Sequence, residues 1–193
     1  MSTDTAADEA MLLAGIARGR EQDLAEFYRR YHGRVYAFLL RKLGDAADAA
    51  ETANEVMMDV WRGAARFEGR SRPLTWVLGI AQHKAVDRVR RRRPDTASAD
   101  PLDAESLEDA SAGAMDLVAR KQDAEHVRRC LEQLSEAHRA VVHLAFFEDL
   151  GYAEIAAILE CPEGTVKTRM FHAKQGLKRC LGWLAGDADG GAS

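Results

Sequence analysis

The stretch CPEGTVKTRMFHAKQGLKR, Cys161 to Arg179, interleaves cations with apolar residues. Lysine and arginine can donate to phosphate oxygens or to guanine, threonine can reach a base or a phosphate, and phenylalanine can meet a thymine methyl. Lys167, Thr168, Arg169, Phe171, His172 and Lys174 carry that chemistry here, and no acid occurs between Gly164 and Gly186. Val166, Met170, Ala173 and Leu177 recur at i, i+4, i+7 and i+11, the period of one buried helix face. The cations fall largely off that stripe. What must position them is a helix anchored on one side and cationic on the other. Upstream, in DLGYAEIAAILE, Tyr152, Ile155, Ala156 and Leu159 form a shorter apolar stripe. Between the two, Pro162 has a preset φ that suits a first helical turn, and Gly164 is expected to allow close backbone approach. A short helix, a turn and a longer helix make the helix-turn-helix signature, whose second helix presents its early residues to the major groove. The bland alternative is an αα-hairpin with a solvated basic face.

Charge is unevenly spread along the rest of the chain. The net charge of the 193 residues is only −4. Yet Arg66 to Arg93 holds nine Lys/Arg against two acids, and Pro94 to Ala119 holds seven acids with no Lys or Arg. A positive block beside a negative one points to a polyanion-binding surface next to a segment able to screen it. At 47% hydrophobic composition the chain is not disordered throughout, and its length allows one domain or two small ones.

Other chemistries find little support. Cys130, Cys161 and Cys180 are scattered, without C-x-x-C or a metal-like Cys/His spacing, and read as buried or incidental thiols. No metal or cofactor is expected. A metal-dependent nuclease would need paired acids on an ordered element, whereas the acids from 95 to 116 lie in a linker-like segment. Residues 1–10 are polar and acidic, unlike a signal peptide, and no apolar run approaches the ~20 residues of a membrane span. A soluble, cytoplasmic protein without membrane insertion is expected.

The pattern predicts an all-α chain of two small helical domains joined by an acidic flexible linker. Leu24, Phe27, Tyr28, Tyr31, Val35, Phe38 and Leu39 keep helical spacing up to Gly44-Asp45. An Ala-rich helix follows from about 46 to 65, then a loop, RFEGRSRP, broken by Gly69, Ser71 and Pro73. A third helix runs from Leu74 to about Arg92, where Pro94 stops it. The 26 residues from 94 to 119 can span about 85 Å if extended. Val127, Cys130, Leu131 and Leu134 open a second helical set.

Taken together, the blocks resemble a known family. DAAETANEVMMDVW (48–61) followed by RFEGRSRPLTWVLGIAQHKAVDRVRRRR (66–93) is similar to region 2 of extracytoplasmic-function (ECF) sigma factors of the bacterial sigma-70 family. The second block, CLEQLSEAHRAVVHLAFFEDLGYAEIAAILECPEGTVKTRMFHAKQGLKRCL, resembles their region 4. The resemblance covers about residues 20 to 182. It implies an N-terminal extension (1–19), region 2 (20–93), the linker (94–119), region 4 (120–183) and a flexible tail (184–193). It implies a non-enzymatic initiation factor that binds core RNA polymerase, promoter DNA and an anti-sigma factor. The β′ coiled coil and the β flap would be its sites on polymerase.

By position, Asp48, Glu51, Asn54, Glu55 and Met58 match the face that docks on the β′ coiled coil. Four of these, Asp48, Glu51, Glu55 and Met58, follow i, i+3, i+7, i+10 along one stripe. The family pattern there is closer to D-A-E-D-x-x-Q-E-V-F, where this chain has Ala50, Glu51, Asn54 and Met57. Arg66, Phe67, Arg70, Ser71, Arg72, Trp76, Lys84, Arg88 and Arg91 match the segment that melts the −10 element and holds a flipped base, which needs a pocket and nearby cations. Trp76 reads first as packing between helices and second as a stacking platform. For the −35 duplex the matching set is Tyr152, Thr165, Lys167, Thr168, Arg169, Phe171, His172 and Lys174. His83 and His172 stand where the family often has Asn and Arg.

Overall fold

In a computed structural model, residues 3–92 and 117–186 are described, with side chains described for 8–92 and 125–181. The described residues are helical with no strand, as the periodicity predicts. They form two compact units, one of α1 to α4 with residues 153–161, the other of α5, α6 and α8.

In the first unit, α1 (Thr3–Ile16), α2 (Glu21–Leu43), α3 (Ala46–Gly63) and α4 (Pro73–Arg92) pack around α2. Phe27, Tyr31, Val35 and Leu39 form the buried face of α2, while Tyr28, expected on the same stripe, is 40% exposed. Helix α2 ends where its sequence says it must. Gly44 adopts φ 69°, a left-handed cap whose N–H donates to the Leu40 carbonyl. The next residue restarts the chain as a helix: the Asp45 carboxylate accepts from the Asp48 N–H at 2.8 Å. Ala49, Ala53, Val56 and Val60 give α3 a small, fully buried face, and α4, which packs against α3, buries Val77, Leu78, Ala81 and Ala85. Residues 1–19, expected as an extension, hold a helix that belongs to this core, with Leu13 and Ile16 about as buried as any residue in it.

In the second unit, α5 (Leu117–Glu132), α6 (Glu136–Phe146) and α8 (Glu163–Gly186) share a core of Cys130, Leu134, Val141, Leu144, Val166, Met170 and Ala173. Ser135 caps α6 by accepting from the His138 N–H. Val127, which opens this helical set together with Cys130, is 41% exposed. Two sequence readings are corrected here. Cys130 and Cys180 are not separate thiols: they form a disulfide with Cα atoms 5.8 Å apart, and Cys161 stays outside it. Nor does Gly164 serve a close approach, because a Cβ there would meet nothing within 4 Å.

Helix α7 (Tyr152–Leu159) precedes the turn into α8. It buries Ile155 and Ile158, whereas Ala156 and Leu159 are half-buried. The turn reverses through Glu160, a non-glycine residue at φ 52°. Pro162 then starts α8 through its carbonyl, which accepts from the Thr165 and Val166 N–H groups.

Candidate nucleic-acid and polymerase interfaces

Helix α8 presents the expected −35 residues unevenly. Val166, Met170 and Ala173 are buried and Leu177 is half-buried, which turns Lys167, Thr168, Phe171, His172 and Lys174 outward. Tyr152, Thr165 and Arg169 are half-buried at the margin. The outward set runs from Lys167 to Lys174, eight residues of helix, about 10 Å of axial rise. Lys167 sits 2.8 Å from Glu163, one turn back. The hydrogen bond to that carboxylate, with its charge, holds the Lys167 pKa above its ordinary value. Thr168 donates its hydroxyl proton to the Gly164 carbonyl at 3.0 Å, so its oxygen faces outward chiefly as an acceptor. Phe171, 59% exposed, lies edge-on to His172, whose ring also stacks on His138. The surface is cationic with an apolar edge, the chemistry a major groove can meet.

In the first unit, the expected −10 residues separate into two groups. Arg66 ends a short 3-10 turn (Ala64–Arg66), the loop after it carries Phe67, Arg70, Ser71 and Arg72, and Trp76 follows on the first turn of α4. Gly69 makes the loop's reversal at φ 70°. Phe67 and the half-buried Trp76 lie ring to ring, centroids 5.3 Å apart, so the tryptophan supports the loop rather than filling a deep core. Arg70 pairs with Glu68 at 2.6 Å. Lys84, Arg88 and Arg91 lie further along α4. Lys84 is eleven residues from Pro73, roughly 16 Å of helix. The structure therefore does not gather the nine residues at one point.

The second group meets the residues expected to bind polymerase. Arg88 lies 3.0 Å from Asp48, 3.4 Å from Glu55 and in contact with Glu51. Lys84 reaches Glu55 at 3.2 Å and Asp59 at 2.9 Å, and Arg92 pairs with Asp48. Burial by itself would lower the Lys84 pKa, but hydrogen bonds and charge from Asp59 and Glu55 outweigh it, and the pKa is raised. Thus the acidic stripe of α3, which the sequence presents as open to a basic partner, is interleaved with cations of α4. Asn54 and Met58 differ from their neighbours. Asn54 accepts from the Tyr28 hydroxyl at 3.3 Å, and Met58 is 48% exposed.

Comparison with known proteins decides the family. Residues 27–94 match sigma-70 region 2, and residues 124–177 match sigma-70, region 4. The ECF RNA polymerase sigma factor SigK of Mycobacterium ulcerans is 34% identical over 171 residues, covering 88% of this chain and 91% of that one. The chain belongs to the ECF sigma factors. The SigK protein of Mycobacterium tuberculosis is 32% identical over the same length and coverage. Two solved structures share the fold. CnrH in complex with the cytosolic domain of CnrY aligns at TM-score 0.61 and 21% identity, covering 94% of this chain and 98% of that one. The sigma factor RpoE bound to the anti-sigma factor NepR, from Bartonella quintana, aligns at TM-score 0.60 and 23% identity, covering 83% and 97%. These relatives are transcription regulators rather than enzymes, and no described helix of this chain is long and apolar enough to cross a membrane.

Sequence reasoning missed several residues of this ECF sigma factor. Asp59 and Arg92 join the α3–α4 ion-pair network, and His143 and Glu148 form a buried pair at 3.3 Å. Phe146 and Phe147 expose two adjacent rings at the C-terminal end of α6. His126, Cys130 and Cys180 converge on one spot, against the expectation of no metal-like arrangement. The i, i+4 spacing of His126 and Cys130 was the one local signal for it.

Proposed function

We propose that this chain directs promoter-specific transcription initiation, acting in the cytoplasm as the specificity subunit of RNA polymerase. One observation carries the proposal most: an apolar-anchored cationic α8 follows, in sigma-factor order, a unit whose α3 presents Asp48, Glu51, Asn54, Glu55 and Met58 along one face. In this reading α3 docks on the β′ coiled coil and the region-4 block on the β flap. Tyr152, Thr165, Lys167, Thr168, Arg169, Phe171, His172 and Lys174 read the −35 duplex. The loop from Arg66 to Arg72, with Trp76, captures unpaired −10 bases, and Lys84, Arg88 and Arg91 hold the strand's phosphates. The chain itself makes and breaks no covalent bond.

The α3–α4 ion pairs give this division a mechanism. Basic residues of polymerase that approach Asp48, Glu51 and Glu55 compete with Lys84 and Arg88 for the same carboxylates. Each cation so displaced becomes available to a phosphate. Docking then prepares the DNA-melting surface, and Glu51 and Glu55, 64% and 46% exposed, are the carboxylates a partner reaches first. An anti-sigma factor, of the kind bound to RpoE in its NepR complex, would act by covering the same α3 face. Run-off transcription tests the reading: the full chain added to core polymerase should yield discrete promoter-dependent transcripts from sheared genomic templates. Failure to co-purify with core, or initiation no different from core alone, would reject it.

A further inference from the structure

We propose that His126, Cys130 and Cys180 form a zinc site whenever the Cys130–Cys180 disulfide is reduced. His126 and Cys130 stand one turn apart on α5, and Cys180 faces them from α8. One ligand atom from each lies within 4.8 Å of the others. The His126 Nε2 is also 3.3 Å from the Cys180 carbonyl oxygen, which places the ring beside the second cysteine rather than out in solvent. Cys130 is 1% exposed, while His126 and Cys180 are half-buried. The site thus has a closed floor and an open side.

This geometry suits a tetrahedral thiophilic ion. With zinc–sulfur bonds of about 2.3 Å, two thiolates on one zinc sit about 3.8 Å apart, and an imidazole nitrogen lies about 3.6 Å from each. Moving from a disulfide to that arrangement separates the sulfurs by less than about 2 Å, a shift that side-chain rotation can supply with the helices in place. Two thiolates and one imidazole, with no carboxylate among them, select zinc over calcium or magnesium. The open side leaves the fourth position to water or to a donor from another protein.

The chemistry balances. A dithiol such as dithiothreitol gives two electrons and two protons to the disulfide and is itself oxidised to its cyclic disulfide, leaving Cys130 and Cys180 as thiols. Zinc then displaces both protons and binds the two thiolates and the imidazole. In a compartment that keeps thiols reduced, the ion would hold α5 to α8 where the disulfide otherwise does. This inference stands apart from the DNA-binding reading of α8.

Cobalt titration of the full chain tests it. Reduced, desalted protein under anaerobic conditions should develop thiolate-to-cobalt charge transfer and tetrahedral d–d absorption, saturating at one ion per chain and abolished by added zinc. Oxidised protein should develop neither. His126→Ala and Cys180→Ser should weaken binding more than about 100-fold, beyond the usual cost of losing an outer-shell partner, while Cys161→Ser should match the wild type. Circular dichroism checks that each variant is folded. Should the cysteine variant unfold, alkylation of the reduced wild type remains decisive: zinc should slow modification of Cys130 and Cys180 and leave Cys161 unchanged. Absence of tetrahedral absorption, full binding by His126→Ala, or no protection of Cys130 and Cys180 would each overturn the proposal.

Discussion

Lys167 carries its charge beside Glu163, and the pair makes its role separable by mutation. If Lys167 contacts a base edge, Lys167→Ala should reduce discrimination at one −35 position by on the order of 10- to 100-fold. A phosphate contact would instead weaken all sequences alike and lower the salt slope by about one unit. Glu163→Gln removes the competing carboxylate without touching the lysine, so −35 affinity should rise where Lys167→Ala lowers it. Equal affinity of Glu163→Gln and wild type across promoter variants would show that the lysine does not face DNA. Tyr31 makes a different residue-scale case. Burial pushes its phenol pKa up, and the nearby Glu9 carboxylate pushes the same way. A raised folded-state value means the folded chain holds the proton longer. The contribution is therefore complete below the unfolded value of about 10 and is lost as pH rises above it. Stability against urea should fall for the wild type as pH rises above about 10, and Tyr31→Phe should flatten part of that decline. Identical slopes for the two proteins would show that Tyr31 does not contribute.

Helices α3 and α4 act as a pair, and substitutions there must be read in both roles. Glu51→Lys or Glu55→Lys reverses a charge in the docking stripe but also sets a lysine against Arg88. Met58 offers a cleaner probe, being 48% exposed on the same helix. Met58→Lys should weaken core-polymerase binding measurably while changing stability by no more than about 0.5 kcal/mol, the usual range for a surface site. Arg88→Ala should do the converse: core binding holds or tightens, since polymerase no longer displaces that cation, while permanganate reactivity of −10 thymines falls. Loss of core binding in Arg88→Ala as large as in Glu51→Lys would refute the exchange. The contrast also shows what sequence could convey. The helices themselves were legible because the Phe27-to-Leu39 spacing and the Gly44-Asp45 break are local. Helix α1 was not, because its apolar residues cluster within two turns at Met11, Leu12, Leu13 and Ile16. The exposed face of α8 followed from its buried stripe. The ion-pair network did not follow, because Arg88 is 33 to 40 residues from its carboxylates and only helix packing brings them together. Likewise, 50 residues separate Cys130 from Cys180, so the bond between them left no local trace.

Between the two blocks, Pro94 to Ala119 carries seven acids and no Lys or Arg, and most of it lies outside the described residues. Its sequence alone supports an argument about the whole molecule. An acidic segment joined to two cationic blocks is present near both at high effective concentration, and it competes with DNA phosphate for the same lysines and arginines. The free chain should therefore bind duplex promoter DNA weakly, and holoenzyme should bind it tightly once polymerase holds each block on the promoter. Replacing the linker acids by Asn or Gln removes the competitor without shortening the tether. Affinity of the free variant for −35 duplex should then rise at low salt, where the screening length is about 30 Å at 0.01 M. The gain should shrink toward 0.15 M, where that length is about 8 Å. Holoenzyme affinity should change little, because polymerase has already separated DNA binding from the linker's competition. An inert spacer predicts something else: the same free-chain affinity at both salt concentrations, with only solubility reduced. Unchanged binding at the lower salt would establish the spacer and exclude screening.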